Sequence, residues 1–374
     1  MKSLYEQVYE SLKQEILSSK YKVGEQVPSE KELSEAFQVS RITSKKALER
    51  LTKEGYVYRQ QGRGTFVAEF QATNHGEPNN SKKPLFGLVM TTFDDSFGSA
   101  LLASLVEESQ DKCFLILRQS LGIPEREEKI IQELIDYGVS GLIVSPAQAQ
   151  HYSSEILKMV VNQFPLVLID RSFEGVATAA VSTDNVEAAI KGTNYLIDQG
   201  HQHIGVLMPS NYETTTIEDR LVGIMDAFVE RHLIVNRELW FSDIRSTSPI
   251  PQANKEEDIE KIKKHIQRNP KITALFALEY QIASLAKAAI EELGLNIPKD
   301  IAIICFDSPP MRDQGWSFTH FKQDEVEMGR LALERLMQMY RGKFNTDRQL
   351  VPAALVEGCT TIPIIDKSYL LGKQ

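Results

Sequence analysis

The first element is predicted from apolar residues that recur at steps of four. The residues at these steps are Leu4, Val8, Leu12 and Ile16. Such spacing places them on one face of a helix, so we predict a helix over residues 4–17 with that face buried. Gly24 and Pro28 then interrupt the pattern and mark a loop.

Two shorter helices are predicted from their capping residues. Ser29 and Glu32 have the spacing of a capping box, so the second helix begins there and runs to about Phe37. Ser40 follows a very short turn and can cap a third helix over residues 41–54. The second and third helices are therefore expected to be joined by a tight turn.

A hairpin is predicted directly after the third helix. Gly55 suits the position that ends a helix. The β-rich runs at residues 56–60 and 65–68 are separated by the glycine-containing turn 61–64, as the two strands of a hairpin are. Helix, helix, short turn, helix and hairpin is the order of a winged helix-turn-helix.

Beyond the hairpin the pattern changes twice. Residues 69–84 show no periodicity and are rich in Asn, Gly, Pro and Lys, which indicates a linker. From Leu85 onwards, short apolar runs alternate with amphipathic stretches. We predict strands at residues 85–90, 113–119, 141–146, 164–170, 179–184, 203–209, 274–278, 301–307 and 350–356. We predict helices at residues 125–137, 186–199, 220–231, 281–293 and 325–340.

This alternation predicts an α/β fold with parallel sheets covered on both faces. About 290 residues exceed one hydrophobic core, so two lobes are expected. The predicted organisation is a winged helix-turn-helix at 1–68, a linker at 69–84 and a two-lobed domain at 85–374. We assign about 85–198 and 323–341 to lobe one, and about 199–320 and 346–374 to lobe two.

The net charge of −9, from 51 acidic and 42 basic residues, is unevenly distributed. The first 70 residues hold 12 Lys and Arg against 10 Glu, and residues 41–63 hold seven cations against Glu49 and Glu54. The rest of the chain then carries −11. This asymmetry indicates a nucleic-acid-binding module joined to an acidic domain, although a solvated basic helix face would give the same pattern.

Composition excludes several classes of protein. Apolar residues make up 42% of the chain, which is typical of globular proteins, and no apolar run approaches the length of a membrane helix. The start of the chain lacks the apolar stretch of a secretory signal, so we expect a cytoplasmic protein without membrane contact. Three widely spaced Cys argue against disulfides or zinc, and His201 and His203 are interpreted as a surface turn, so no metal is expected.

The third predicted helix carries the candidate DNA-binding chemistry. Its first turns present cations and hydroxyls, with no acid before Glu49. A helix N-terminus normally favours acidic side chains, so cations there indicate that an anion such as a DNA phosphate binds nearby. The alternative is a packing module with an incidental basic face.

Residues 5–67 resemble the DNA-binding domain of the GntR family. The matching motifs are PSEKEL at 28–33, VSR at 39–41, EGY at 54–56 and RQQGRGTFV at 59–67. The resemblance implies that the DNA-facing residues are Lys31, Ser40, Arg41, Thr43, Lys45, Gln61, Gly62 and Arg63. We add Ser44 to this set as a hydroxyl in the first turns of the third helix, although the family usually has an aliphatic residue there. Lys31 and Lys45 stand where the family usually has Arg, and Lys lacks the two-pronged fork of Arg. We expect Arg41 or Gln61 to read base edges and the Lys and hydroxyl side chains to contact phosphates.

Residues 85–360 resemble the effector-binding domain of the lactose/galactose repressor family, which is similar to periplasmic sugar-binding proteins. The resemblance rests on the order and spacing of phrases such as PLVLIDR at 165–171, VSTDN at 181–185, DRLVG at 219–223 and IPKDIAIICFD at 297–307. The combination of the two domains resembles the bacterial repressors of arabinose utilisation. It therefore implies a small sugar effector, with arabinose as the leading candidate.

The resemblance also implies a ligand site. Arg220 and Asp307 match sugar-contacting positions of the family, and Asp184 matches a position near the cleft. Charge-assisted hydrogen bonds from Arg and Asp suit adjacent sugar hydroxyls. Glu279 stands where the family usually has Asn-Asp. The predicted effector-binding residues are Phe93, Asp94, Arg118, Asp184, Arg220, Glu279, Asp307 and Trp316, and Phe173 is a further candidate for stacking on the sugar. Arg118 and Arg171 would suit a phosphate if the effector is phosphorylated or a nucleoside.

These expectations together describe a DNA-binding transcription regulator. We expect a homodimer on palindromic operator DNA, released by the effector, although an effector that promotes binding fits the sequence equally well. The chain has no GxGxxG, GxxxxGK[ST] or GxSxG motif, so neither an enzyme nor a cofactor is expected. The alternative is a cytoplasmic sugar-binding or sugar-modifying protein whose basic head docks another macromolecule.

Overall fold

A computed structural model of the protein describes most of the chain. The described residues are 4–17, 20–22, 24–53, 56–60, 63–67, 83–147, 154–173, 175–210, 214–248, 253–307, 309 and 315–364. The chain divides into two compact units, residues 1–78 (the head) and 79–374 (the body). Residues 69–82 of the predicted linker lie outside the described residues. No helix in the described ranges is long and apolar enough to cross a membrane.

The head has the predicted order of three helices and a hairpin. The helices are α1 (Leu4–Leu17), α2 (Glu30–Ala36) and α3 (Arg41–Lys53), and the strands are β1 (Val57–Gln60) and β2 (Gly64–Val67). Both bonds of the predicted capping box are present at Ser29 and Glu32, and the Ser40 hydroxyl accepts the Thr43 backbone N–H at 3.2 Å. Val8, Leu12 and Leu48 are buried in one core, as the four-residue spacing predicted for α1.

Lobe one of the body is built on a six-stranded sheet. In chain order its strands are β3 (Leu85–Met90), β4 (Phe114–Gln119), β5 (Leu142–Val144), β6 (Leu166–Ile169), β7 (Ala179–Thr183) and β13 (Arg348–Val351). All pairs are parallel, in the spatial order β13-β7-β6-β5-β3-β4. The covering helices are α4 (Ser99–Ser109), α5 (Pro124–Tyr137), α6 (Ser154–Val161) and α11 (Glu325–Tyr340). Both faces of the sheet are therefore covered, as the continuous apolar strands predicted.

Lobe two repeats this architecture. Its strands are β8 (Ile204–Pro209), β9 (Trp240–Ile244), β10 (Ala274–Ala277), β11 (Ala302–Phe306), β12 (Thr319–Lys322) and β14 (Ala354–Val356), in the spatial order β14-β12-β11-β10-β8-β9. Its helices are α7 (Asn185–Asp198), α8 (Thr215–Glu230), α9 (Lys255–Arg268) and α10 (Tyr280–Glu292). Strand β14 pairs antiparallel with β12, and the other strands of this sheet pair in parallel. The chain crosses between the lobes after β7, after β12 and between β13 and β14.

Two predicted lobe assignments are wrong. Residues 185–198 form α7, which packs on lobe two: Ala188 and Leu196 share a core with Phe276 and Phe321. Residues 348–351 form β13, which pairs with β7 in lobe one. The chain changes lobe before α7 and again after β13, and local apolar patterns carry no mark of such a crossing. Three helices (α4, α6 and α9) and two strands (β9 and β12) were also not predicted.

Candidate functional site

The exposed N-terminal turns of α3 form the candidate DNA-binding surface of the head. Arg41 and Lys45 are exposed, and Lys45 pairs with Glu49 of the same helix at 3.8 Å. The Ser40 and Thr43 hydroxyls lie 2.8 Å apart at the start of the helix. No acidic residue occupies the first turn. The positive helix end and these cations together make the surface attractive to phosphate.

A cleft of about 680 Å³ runs beside this surface between α2, α3 and the hairpin. Three cationic side chains, Lys31, Arg41 and Arg59, line it from three different elements. An Arg59 nitrogen (Nη2) lies 2.8 Å from Glu30 Oε1, which ties the hairpin to the start of α2. Arg63 is exposed beside the same hairpin. The predicted residues Gln61 and Gly62 lie outside the described residues.

The prediction that Ser44 contacts DNA is wrong. Its side chain is fully buried on the inner face of α3, and its hydroxyl has no hydrogen-bond partner among the described residues. Residues three and four apart share a helix face, so the face of Ser44 continues through the core residues Ala47 and Leu48. A hydroxyl in that position cannot reach a ligand outside the domain.

In the body, a cleft of about 580 Å³ lies between the two lobes, where the strands of both sheets end. Ligands of parallel α/β sheets bind outside these carboxyl ends. Segments after β3, β4 and β6 supply one wall, and segments after β9, β10 and β11 together with α8 supply the other. Five of the eight predicted effector residues line this cleft: Phe93, Asp94, Arg220, Glu279 and Asp307.

Arg220 lies at the centre of the cleft wall and is only 3% exposed. Its Nε donates to Asn185 Oδ1 at 2.8 Å, and its Nη1 donates to the Leu278 carbonyl. The guanidinium lies over the ring of Phe306, 3.6 Å from the centroid. These contacts fix one positive charge, so that it faces the carboxyls at the strand ends.

Three carboxyl groups, one buried and two half-buried, interact electrostatically with this charge. Burial raises the pKa of Asp307 to about 7, although Arg220 and the Gln323 side chain oppose the shift. Burial also raises the pKa of Asp170 and of Glu279, again against the attraction of Arg220. Asp307 follows β11 and Asp170 follows β6, and both have a left-handed backbone, with φ of 63° and 68°. Such groups can accept or donate hydrogen bonds to hydroxyls near neutral pH.

The cleft also contains polar groups that await a partner. Arg171 Nε and Ser246 Oγ are buried, line the cleft and have no hydrogen-bond partner in the part of the chain that the structure describes, although Arg171 Nε lies 3.6 Å from Asp170 Oδ2 in an ion pair. The turn that carries Ser246 is held by Asp258, whose Oδ2 accepts the backbone N–H of Arg245 at 2.9 Å and of Ser246 at 2.7 Å. Buried polar atoms usually have partners, so a polar ligand is expected to supply them here.

Both lobes contribute to the rim. Asp94 Oδ1 accepts the backbone N–H of Ser96 at 2.7 Å, and Asp94 Oδ2 accepts a hydrogen bond from Gln281 of lobe two at 3.3 Å. Burial alone would raise the pKa of Asp94, but these hydrogen bonds outweigh it and lower the pKa. Asp94 therefore stays charged and links the two walls.

Three predicted effector residues lie elsewhere. Arg118, on the edge strand β4, pairs with Glu133 of α5 at 2.8 Å. Asp184 caps α7 by accepting the Glu187 backbone N–H at 3.1 Å. Trp316 packs edge-on against Phe318 and does not line the cleft. The three predictions are wrong because the fold places these side chains away from the cleft.

Several residues of the cleft were not among the predicted effector residues. Asp170, Thr216, Ser246, Gln281 and Gln323 all line it. Asp170 is the last residue of a predicted strand, so the rule that ligands bind at strand ends would have found it. Gln323 lies on a crossing between lobes, and no sequence signal marks that position. Within the described ranges, no group of three or more His, Cys, Asp or Glu side chains could hold a metal ion.

Comparisons of sequence agree with both units. Residues 4–67 match the profile of the gntR family of bacterial regulatory proteins, and residues 193–361 match that of a periplasmic binding protein-like domain. An arabinose metabolism transcriptional repressor of Geobacillus stearothermophilus is 29% identical over 345 residues, covering 88% of this chain and 90% of that protein. A protein of the same name from Halalkalibacterium halodurans is 24% identical over 335 residues, covering 88% and 87%.

Solved structures share the fold. The transcription regulator CcpA of Lactococcus lactis has a TM-score of 0.64 at 20% identity, covering 75% of this chain and 100% of that one. The transcriptional regulator CelR in complex with cellobiose also has a TM-score of 0.64, at 17% identity, covering 87% and 92%. These structures confirm the predicted α/β class of the body. The chain thus joins a helix-turn-helix domain of the gntR type to a periplasmic binding protein-like domain.

Proposed function

We propose that this protein represses sugar-utilisation genes and leaves its operator when a small sugar binds in the body. The observation that carries the proposal is the set of Arg220, Asp307 and Glu279 at the strand ends of the cleft. A fixed guanidinium and carboxyls can share the adjacent hydroxyls of a sugar, and few other ligands offer that pattern. The polar atoms of Arg171 and Ser246 would complete the site.

The head supplies the DNA-binding part of the proposal. The phosphate backbone and base edges of the DNA would be contacted by Lys31, Ser40, Arg41, Thr43 and Lys45. Arg63 would reach the DNA from the hairpin. Two such heads in a homodimer would match the two halves of a palindromic operator. The acidic body would repel DNA, so contact would be confined to the heads.

L-arabinose is the leading effector within this proposal. Two relatives that cover most of this chain are named arabinose metabolism transcriptional repressors. Regulation of this kind requires no chemistry on the ligand, so we infer that the protein is not an enzyme and needs no cofactor. It would act in the cytoplasm, where its operator is.

A mobility-shift titration tests the proposal. The full chain is titrated against duplex DNA from the region upstream of its own gene, with and without a panel of sugars that includes L-arabinose. We expect a specific shift at nanomolar protein and its loss with one sugar. A sugar that binds to the protein without any DNA shift would favour a sugar-binding protein whose head docks another partner. A sugar that strengthens the shift would reverse the sign of regulation.

A pair of variants separates the two domains in this assay. Arg41→Ala removes a cation from the head and should abolish the specific shift, while a thermal-shift assay still detects the sugar. A ligand at 100 times its dissociation constant stabilises the folded state by about 2.7 kcal/mol. Arg268→Ala removes an exposed cation from the last turn of α9 in the body and should change neither reading.

A further inference from the structure

The segment that crosses from β12 to α11 contacts both walls of the cleft. Gln323 Nε2 donates to both carboxyl oxygens of Asp307, each at 3.0 Å. Its Oε1 accepts the hydroxyl of Thr183, at the end of β7 in lobe one. Gln323 is only 4% exposed. The Gln323 side chain therefore links the Asp307 carboxyl, at the end of β11 in lobe two, to Thr183 of lobe one.

Two residues further on, Glu325 caps a helix that is not its own. Its Oε2 accepts the backbone N–H of Gly98 at 2.7 Å and of Leu101 at 3.1 Å, at the start of α4. The N-cap residue of α4 is Gly98, which has no side chain to serve the free N–H groups. A carboxylate at a helix N-terminus also meets the positive end of the helix dipole. The start of α4 thus depends on α11.

The other end of α4 lies where the chain enters the body. Asp111, just beyond the helix, forms an ion pair with Lys83 at 3.0 Å, and the Phe114 backbone N–H donates to the Pro84 carbonyl at 2.8 Å. Lys83 and Pro84 are the first described residues after the segment that leads from the head. An eleven-residue helix spans about 16 Å, so α4 extends from the rim of the cleft to this entry point.

We propose that Gln323, Glu325 and α4 carry the effector signal from the cleft to the entry of the linker, with Glu325 as the positioning residue. The inference rests on the proposed function. A sugar hydroxyl that donates a hydrogen bond to Asp307 competes with Gln323 for the same carboxyl oxygens. Gln323 then shifts, and the short segment to Glu325 shifts with it. Because Glu325 accepts hydrogen bonds from the backbone N–H groups of Gly98 and Leu101, the start of α4 moves with Glu325. Packing between α4 and α11 transmits the movement, because packed helices move as rigid bodies rather than deform.

The test compares Glu325→Gln with Glu327→Gln in the full chain. The first substitution keeps the size of the side chain, but its neutral amide oxygen accepts the two N–H groups more weakly, since hydrogen bonds to a charged group are about twice as strong. Glu327 lies in the same first turn of α11 but is only half-buried and pairs with Arg330. Three quantities are measured by fluorescence anisotropy and calorimetry: operator affinity without sugar, L-arabinose affinity without DNA, and operator affinity with saturating L-arabinose.

The proposal predicts that Glu325→Gln changes only the third quantity. Coupling between two sites typically changes affinity by about 5–150-fold. We expect the ratio of operator affinity without sugar to operator affinity with sugar to fall at least fivefold in the variant. The affinity for operator alone and the affinity for L-arabinose alone should each stay within about threefold of the unmodified protein. The control should behave as the unmodified protein. An unchanged ratio, or a loss of L-arabinose binding itself, would overturn the proposal. If the unmodified protein shows no response to any sugar, the proposed function fails instead.

Hydrogen exchange gives a second reading that needs no sugar and no operator. In Glu325→Gln, the amides of Gly98 and Leu101 should exchange at least tenfold faster than in the control, since each tenfold change corresponds to about 1.4 kcal/mol of local opening. The amides near Lys83 and Phe114, at the far end of α4, should also change. Faster exchange at the start of α4 alone, with the far end unchanged, would contradict transmission along the helix. If Glu325→Gln does not fold, Glu325→Asp replaces it, because the shortened carboxylate cannot span both N–H groups.

Discussion

Arg220→Met removes the charge at the centre of the cleft and keeps most of the side-chain volume. The guanidinium is 3% exposed, donates to Asn185 and the Leu278 carbonyl, and faces three carboxyls. Breaking a buried ion pair by removing one partner costs about 3–5 kcal/mol, because the remaining charge stays buried. We expect a loss approaching this size in the free energy of unfolding at pH 8, above the pKa of Asp307 in the unmodified protein.

The same variant should lose less stability at low pH. Burial raises the pKa of Asp307 to about 7 in the folded protein, well above its value in the unfolded chain. The folded state therefore binds more protons, and its stability falls as pH rises between about 4 and 7. Without Arg220 the pKa rises further, so the fall continues above neutral pH. At pH 5.5, below the pKa of Asp307, that carboxyl holds its proton, and only about 1–2 kcal/mol from lost hydrogen bonds should remain.

Urea unfolding followed by tryptophan fluorescence measures these losses. Both tryptophans, Trp240 and Trp316, lie in the body, so the signal reports the domain that contains the substitution. Arg231→Met is the matched control, because Arg231 ends the same helix but forms a surface pair with Asp198, and such pairs contribute about 0–1 kcal/mol. An equal loss at pH 8 and pH 5.5, or a loss below about 1 kcal/mol at pH 8, would refute the account of the charge cluster.

Three further predictions concern the head and the packing of the body. Ser44→Ala removes a buried hydroxyl that has no hydrogen-bond partner among the described residues. It should raise the stability of the head by up to about 1 kcal/mol without changing operator affinity. Weaker DNA binding in a mobility-shift assay would contradict the burial of the Ser44 side chain. Arg63→Ala should lower the slope of log affinity against log salt by about one per head, and an unchanged slope would show that Arg63 does not meet phosphate. Gly223→Ala places a Cβ against the Val186 carbonyl and Ala189, where α7 packs on α8. It should lower the stability of the body by about 1–3 kcal/mol. A variant that melts at the same temperature as the unmodified protein would show that the two helices can move apart at no cost.

Much of the fold follows from local signals in the sequence. The capping box at Ser29 and the strands from Leu85 onwards were predicted because caps and apolar runs act locally. Strand β9 was missed because it is a half-buried edge strand, and β12 was missed because Thr319, His320 and Lys322 leave it no apolar run. The lobe of α7 could not be predicted, since it depends on where the chain crosses between two similar sheets.

The candidate site divides in the same way. Asp307 and Glu279 were found because the resemblance to the lactose/galactose repressor family implied them, and both lie near the carboxyl ends of strands, where ligands of parallel sheets bind. Asp184 also follows a strand, but there the side chain caps a helix. Arg118 was a poor candidate for a reason visible only in the fold, since Glu133 lies across from it. Gln323 acquires its role from a crossing between lobes, which leaves no pattern in the sequence.

The central claim is that sugar and operator DNA oppose one another through this protein. Calorimetry of L-arabinose binding to the free protein and to the protein–operator complex tests it most directly. Linkage requires DNA to weaken sugar binding by the same factor by which sugar weakens DNA binding, and we expect about 5–150-fold. Equal sugar affinities for the free and the DNA-bound protein would contradict the account.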